Sequence, residues 1–198
     1  MQQQPVIDDG DTLPPIKFPS ASEAVRWAYE VTMQPDVVSP TQVVLSALRR
    51  VPGRGASQWR REDFRDLAYT IMTCVTMIPD RTAQAAYRQT HCDHNIERVD
   101  DVASTLAQRV SCPAAQKRTH GQLVRVAQTT VLRERSRVWW PKPMGLAWYA
   151  RALNMRRQSL YSGGWMDVIK DMEARYAEWV ERAETDMAEM LRDKGVMR

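Results

Sequence analysis

The chain has 198 residues, 43% of them apolar and 26% charged, with a net charge of +4, which suits one domain or two small ones built around a core. No apolar run is long enough to span a bilayer, and Met1-Gln2-Gln3-Gln4-Pro5 has neither the basic start nor the apolar run of a signal peptide, so no membrane partner is expected. Cys74, Cys92 and Cys112 are odd in number and widely spaced, which argues against a disulfide framework and for free thiols in a reducing, cytoplasmic setting.

Residues 1–19 read as a disordered lead, because Asp8, Asp9, Gly10, Asp11, Pro14, Pro15 and Pro19 break every periodic pattern. Ser20 or Ser22 then caps a helix to about Met33 on Ala24, Val25, Trp27, Ala28 and Val31, and Pro35 ends it. Ser39-Pro40-Thr41 opens a second helix on Val43, Val44, Ala47 and Leu48, which stops near Pro52-Gly53. Around that stop Arg49, Arg50, Arg54, Arg60, Arg61 and Arg65 make a basic patch.

Asp63 to Ile78 predicts a helix on Phe64, Leu67, Ala68, Ile71, Met72 and Val75. Pro79-Asp80 breaks it, and a helix resumes over Arg81 to Gln89 on Ala83, Ala86 and Tyr87. A polar loop at His91-Cys92-Asp93-His94-Asn95 follows. His91, Cys92 and His94 are the chain's one close group of metal-ligating types, but without paired spacings they read as loop, and no metal or other cofactor is expected. Ile96 to Val110 carries the next stripe, closed by Ser111-Cys112-Pro113. Thr119 to Arg137 reads as one helix, Trp139-Trp140-Pro141-Lys142-Pro143 as a rigid connector, and Trp165 to Lys194 as a long helix stopped by Gly195. No segment alternates with period two. The expected fold is all-α: a multi-helix bundle with a helix-turn-helix before a long C-terminal helix. The expected division is an N-terminal helical domain over 20–115 and a DNA-binding region over 116–198.

Charge is concentrated in one stretch. Residues 117 to 157 hold ten Lys or Arg and one acid, Glu134, a local charge of +9. Within it, residues 146–161 read as two short helices around a tight turn. Ala150 takes the small position of the first helix, and Tyr149, Leu153, Met155 and Leu160 are the apolar contacts. Asn154 falls at the turn, where the backbone needs a positive φ that Asn tolerates better than most residues. A basic helix-turn-helix is a way for a small protein to meet DNA. Arg156, Arg157, Gln158, Ser159 and Tyr161 are the expected base-reading set on the second helix. Lys117, Arg118, Arg125, Arg133, Arg135, Arg137, Lys142 and Arg151 are the expected phosphate contacts. Gly163-Gly164 cuts the second helix short.

The run from Met144 to the C-terminus resembles phage and prophage regulators. It carries Leu146-Ala147, Leu153-Asn154-Met155 and Ser159-Leu160-Tyr161, then Trp165 and a long helix ending in Leu191-Arg192-Asp193-Lys194-Gly195-Val196-Met197. The family it is most similar to is the late-gene antiterminators of the Q type; the likeness covers about the last quarter of the chain, with a looser one over Ile71 to Tyr87. The resemblance implies a transcription regulator, an antiterminator or activator, with double-stranded DNA near a late promoter and RNA polymerase as partners. Many such proteins carry a cysteine-rich zinc insertion, and this chain has no Cys-x-x-Cys pair.

The last helix carries an apolar stripe that suits packing on the core and a homodimer or partner interface equally, with Trp165, Met172, Tyr176 and Trp179 as the candidate anchors. Two other functions fit the same pattern: a DNA-packaging protein like a small terminase subunit, and a helical adaptor that binds protein only. No Walker loop, Gly-x-Gly-x-x-Gly or nucleophile constellation is present, so an enzyme is not expected.

Overall fold

The computed structural model describes residues 17–33, 61–92 and 97–197. Among these are eight α-helices: α1 Ala21–Met33, α2 Arg61–Met77, α3 Arg81–His91, α4 Glu97–Arg109, α5 His120–Trp139, α6 Ala147–Ala152, α7 Arg157–Ser162 and α8 Trp165–Asp193. A 3-10 turn, Ala115–Lys117, lies between α4 and α5. The described residues hold no strand, and a single parallel bridge joins Phe18 to Met197. The protein is all-α with a long C-terminal helix. No described helix is long and apolar enough to cross a membrane. The helix expected from Ser39-Pro40-Thr41 to near Pro52-Gly53, and nearly all of the Arg49 to Arg65 patch, lie outside the described residues or side chains.

Local chemistry sets the helix ends. Ser20 Oγ accepts the Glu23 N–H at 3.2 Å and caps α1. Asp80 accepts from the Thr82 and Ala83 N–H groups at 2.8 and 3.1 Å, and those bonds, the Ala83 one first, hold its carboxyl below the usual range. Such a cap contributes about 0.5–2 kcal/mol. Thr119 and Gln122 form a reciprocal capping box at the start of α5. α8 closes on a Schellman turn: Gly195 N–H donates to Arg192 and Val196 N–H to Leu191, both at 2.8 Å, with Gly195 at φ 67°.

α8 is the spine. Its 29 residues extend about 44 Å at 1.5 Å per residue, and Val168, Ile169, Met172, Tyr176, Trp179, Ala183, Met187 and Leu191 are buried along it. α3 packs extensively on α8, α4 on α5 and α1 on α2. Buried tyrosines tie the layers together. Tyr176 OH donates to the Ala86 carbonyl at 3.0 Å and meets Thr90 Oγ1 at 3.0 Å. Tyr87 OH donates to Glu184 at 2.6 Å, and Trp139 Nε1 donates to the Thr90 carbonyl at 2.8 Å.

One hydrophobic cluster runs from Phe18 to Met197. The expected boundary near residue 115 therefore does not separate two cores, because α8 buries its stripe against helices from both sides of it. The end of the expected disordered lead is also corrected. Phe18 is buried against Trp27, and its N–H donates to the Val196 carbonyl at 3.1 Å, so residues 17–19 belong to the fold.

Candidate nucleic-acid interface

α6 and α7 are six residues each, joined through Leu153-Asn154-Met155-Arg156. Asn154 sits at φ 52°, the one non-glycine with positive φ among the described residues. Its N–H donates to Arg151 at 3.0 Å, and the Met155 N–H reaches Ala150 at 2.9 Å. These are the two bonds of a Schellman turn with Asn at the left-handed position. Tyr149 and Leu160 are buried, while Leu153 and Met155 are partly buried against the core. The hairpin is thus anchored by Tyr149 and Ala150 of α6 and Leu160 of α7, on either side of the turn.

The other face of α7 points to water. Arg156, Arg157, Gln158 and Tyr161 are exposed, and Ser159 is half-buried. Arg157, Gln158 and Tyr161, three and four residues apart, share one strip of the helix. No acid occurs from Trp140 to Gly164.

The expected phosphate contacts divide. Lys117, Arg125, Lys142 and Arg151 are exposed, with the Arg151 guanidinium 5.0 Å from the Trp148 ring centroid. Arg137 is exposed but paired with Glu134 at 2.6 Å, and Arg135 is half-buried. Arg118 and Arg133 are structural. Arg118 lies over the Trp165 ring at 4.2 Å and donates to the Gly163 carbonyl, pinning the 3-10 turn to the α7–α8 junction. Arg133 pairs with Glu173 on α8, and its Nε donates to the Met144 carbonyl at 3.1 Å. Glu173 also accepts from Tyr149 OH at 2.9 Å. Burial pushes the Tyr149 phenol up to about 12, so it stays a donor at neutral pH. One carboxylate therefore holds α5, α6 and α8 together. The sequence carries no local sign of this, because Arg133 and Glu173 are forty residues apart.

Gly163 and Gly164 do more than shorten α7. A Cβ at Gly163 would meet the Ser159 carbonyl oxygen at 2.7 Å, and Gly164 takes φ 70° to start α8. The two residues allow the chain to double back so that Trp165 enters the core beneath Arg118.

The stripe expected to meet a partner is corrected. Trp165, Met172, Tyr176 and Trp179 are all buried inside this chain, so they offer no surface to a second copy, a polymerase or a packaging ring. The long helix is apolar along that stripe because other helices of the same molecule, α3 and α5 foremost, pack on it. At the other expected polar cluster, His91 and Cys92 are buried, and His94 lies outside the described residues. His91 packs against Tyr87 with the rings tilted and their centroids 4.7 Å apart, and its Nδ1 has no hydrogen-bond partner. Among the described residues no group of His, Cys, Asp and Glu is placed to hold a metal. A cleft of about 690 Å³ is lined by His91, Glu134, Glu181, Glu184 and Arg192. Glu184 is already engaged there, accepting from Tyr87 OH and from the Ser22 N–H at 2.9 Å.

No family model, curated protein or solved structure matches this chain.

Proposed function

We propose that the protein is a DNA-binding transcription regulator, a phage antiterminator or activator that works with RNA polymerase. The observation that carries the DNA reading is the acid-free, outward strip Arg156, Arg157, Gln158 and Tyr161, set on a hairpin locked by the Asn154 turn. Arg and Gln suit base edges in the major groove, while Ser159 and Tyr161 suit phosphates. The antiterminator and polymerase part rests on the likeness of residues 144–197 to the Q-type proteins.

The geometry refines the roles. α7 has six residues, about 9 Å, so it enters a groove by its first turn and reaches only a few base pairs. Affinity then comes from the phosphate contacts of Lys117, Arg125, Lys142 and Arg151. Arg118 and Arg133 position the hairpin.

Selection from random duplexes, read by sequencing, is expected to recover a short motif. Arg156→Ala with Arg157→Ala is expected to weaken that duplex by at least about 30-fold and to erase the preference, two base contacts at about 1–3 kcal/mol each. Unchanged affinity and preference in the double variant would remove α7 from the reading role. Lys117→Ala with Arg125→Ala should weaken all duplexes alike and flatten the salt dependence.

A further inference from the structure

Six large apolar side chains are exposed among the described residues, and three of them are aromatics between residues 140 and 162, in the basic stretch or just past its end: Trp140 at 47%, Trp148 at 43% and Tyr161 at 56% exposure. Between residues 140 and 162 the chain also carries Lys142, Arg151, Arg156 and Arg157, and no acid. A single exposed ring is ordinary on a protein surface. Three rings interleaved with four cations in one acid-free run are a different matter.

None of the three rings belongs to the buried core cluster. On α6 the buried positions are Tyr149 and Ala150, which leaves Trp148 facing outward. The Arg151 guanidinium lies over one face of that indole, 5.0 Å from the ring centroid, so a cation is paired with the ring. On α7 the anchor is Leu160, and its neighbour Tyr161 projects from the strip that carries Arg157 and Gln158.

An intact duplex has little use for such rings. Its bases cover one another's π-faces and offer only edges and phosphates. Unpaired bases do expose those faces, and they stack on Trp, Tyr and guanidinium planes while cations follow the backbone. We infer that the exposed side of this segment takes single-stranded DNA, with unpaired bases stacked on Trp148 and Tyr161 and phosphates held by Lys142 and Arg151. The inference rests on the DNA-binding reading above and adds that the bound DNA is partly open.

The test is fluorescence anisotropy at low salt with the full chain and four probes. These are a blunt duplex, the same duplex with a tail of about ten thymidines, the same duplex with an RNA tail of equal length, and the DNA tail alone. The DNA-tailed duplex is expected to bind at least about 10-fold tighter than the blunt one. Trp148→Ala and Tyr161→Ala should each lower affinity for the tailed probe and the free tail by about 5- to 150-fold. Trp148→Ala should leave the blunt duplex within about two-fold, while Trp148→Phe, which keeps a ring, retains most of the gain. Equal binding of blunt and tailed duplexes, or a Trp148→Ala loss shared equally by both, would overturn the single-strand assignment while leaving duplex binding in place. An RNA tail that binds as tightly as the DNA tail would overturn the choice of DNA. Failure of every probe to bind would instead overturn the DNA-binding reading on which the inference rests.

Discussion

Glu173→Ala removes the carboxylate that joins α5, α6 and α8. Arg133 and Glu173 have side-chain exposures of 17% and 22%, so the pair lies between a surface ion pair and a dry one. Surface pairs contribute about 0–1 kcal/mol, and breaking a fully buried pair costs about 3–5 kcal/mol; an intermediate loss of about 2 kcal/mol follows. Tyr149 OH also loses its charged acceptor but keeps Thr130 Oγ1 at 3.1 Å, which adds about 1 kcal/mol. The expected destabilisation is therefore about 3 kcal/mol. Glu173→Gln, which keeps an acceptor without the charge, should lose about half of that. Urea unfolding of the wild type, Glu173→Ala, Arg133→Met and the double variant measures the pair directly, with an expected coupling of about 1–2 kcal/mol. A Glu173→Ala loss below about 0.5 kcal/mol, or a coupling within error of zero, would show that the hairpin is held by packing alone and refute the reasoning.

Three further outcomes follow from the same structure. Gly163→Ala places a methyl 2.7 Å from a backbone carbonyl that cannot move freely, and should cost about 1–3 kcal/mol in thermal or urea unfolding. Gly164→Ala meets only ordinary contacts but is forced to φ 70°, so it should cost about 1–2 kcal/mol, and Gly164→Asn less. At His91, burial first and Arg26 second lower the imidazole from 6.5 to about 4. Between those values the unfolded chain binds more protons than the fold. The stabilisation from a neutral His91 is therefore complete above pH 6.5 and is lost as pH falls toward 4, by about 1.4 kcal/mol per pH unit at most. Wild type minus His91→Phe stability, measured by urea unfolding across that window, isolates this slope from the carboxylates common to both; parallel profiles would contradict it.

Much of the helical framework was legible because its causes are local. Apolar spacing on Leu67, Ala68, Ile71 and Val75 marks the buried side of α2, and Pro79-Asp80 must end one helix and cap the next. The Asn154 turn was legible for the same reason, since few residues other than Gly tolerate its backbone conformation. The pin at Arg118 was not, because nothing in a run of basic residues tells a cation stacked on Trp165 from one left in water. Trp148 was missed as well: next to Tyr149 it reads as one more core aromatic, and only the packing of α6 shows which of the two turns outward.

Within the described residues the sequence by itself determined the helices, most of their ends and the outward Arg156-Arg157-Gln158 strip, because capping, backbone permissiveness and 3.6-residue periodicity act within a few residues. Tertiary structure alone decided what each apolar or charged face meets. The α8 stripe has the same pattern whether it covers a partner or its own core, and packing of α3 and α5 on α8 made it core. Arg133 and Arg157 carry the same charge. Glu173, brought from the spine helix, neutralises the first, while nothing acidic approaches the second along its own segment. Burial and charge pairing are properties of neighbours in space, and those neighbours exist only once the chain has folded.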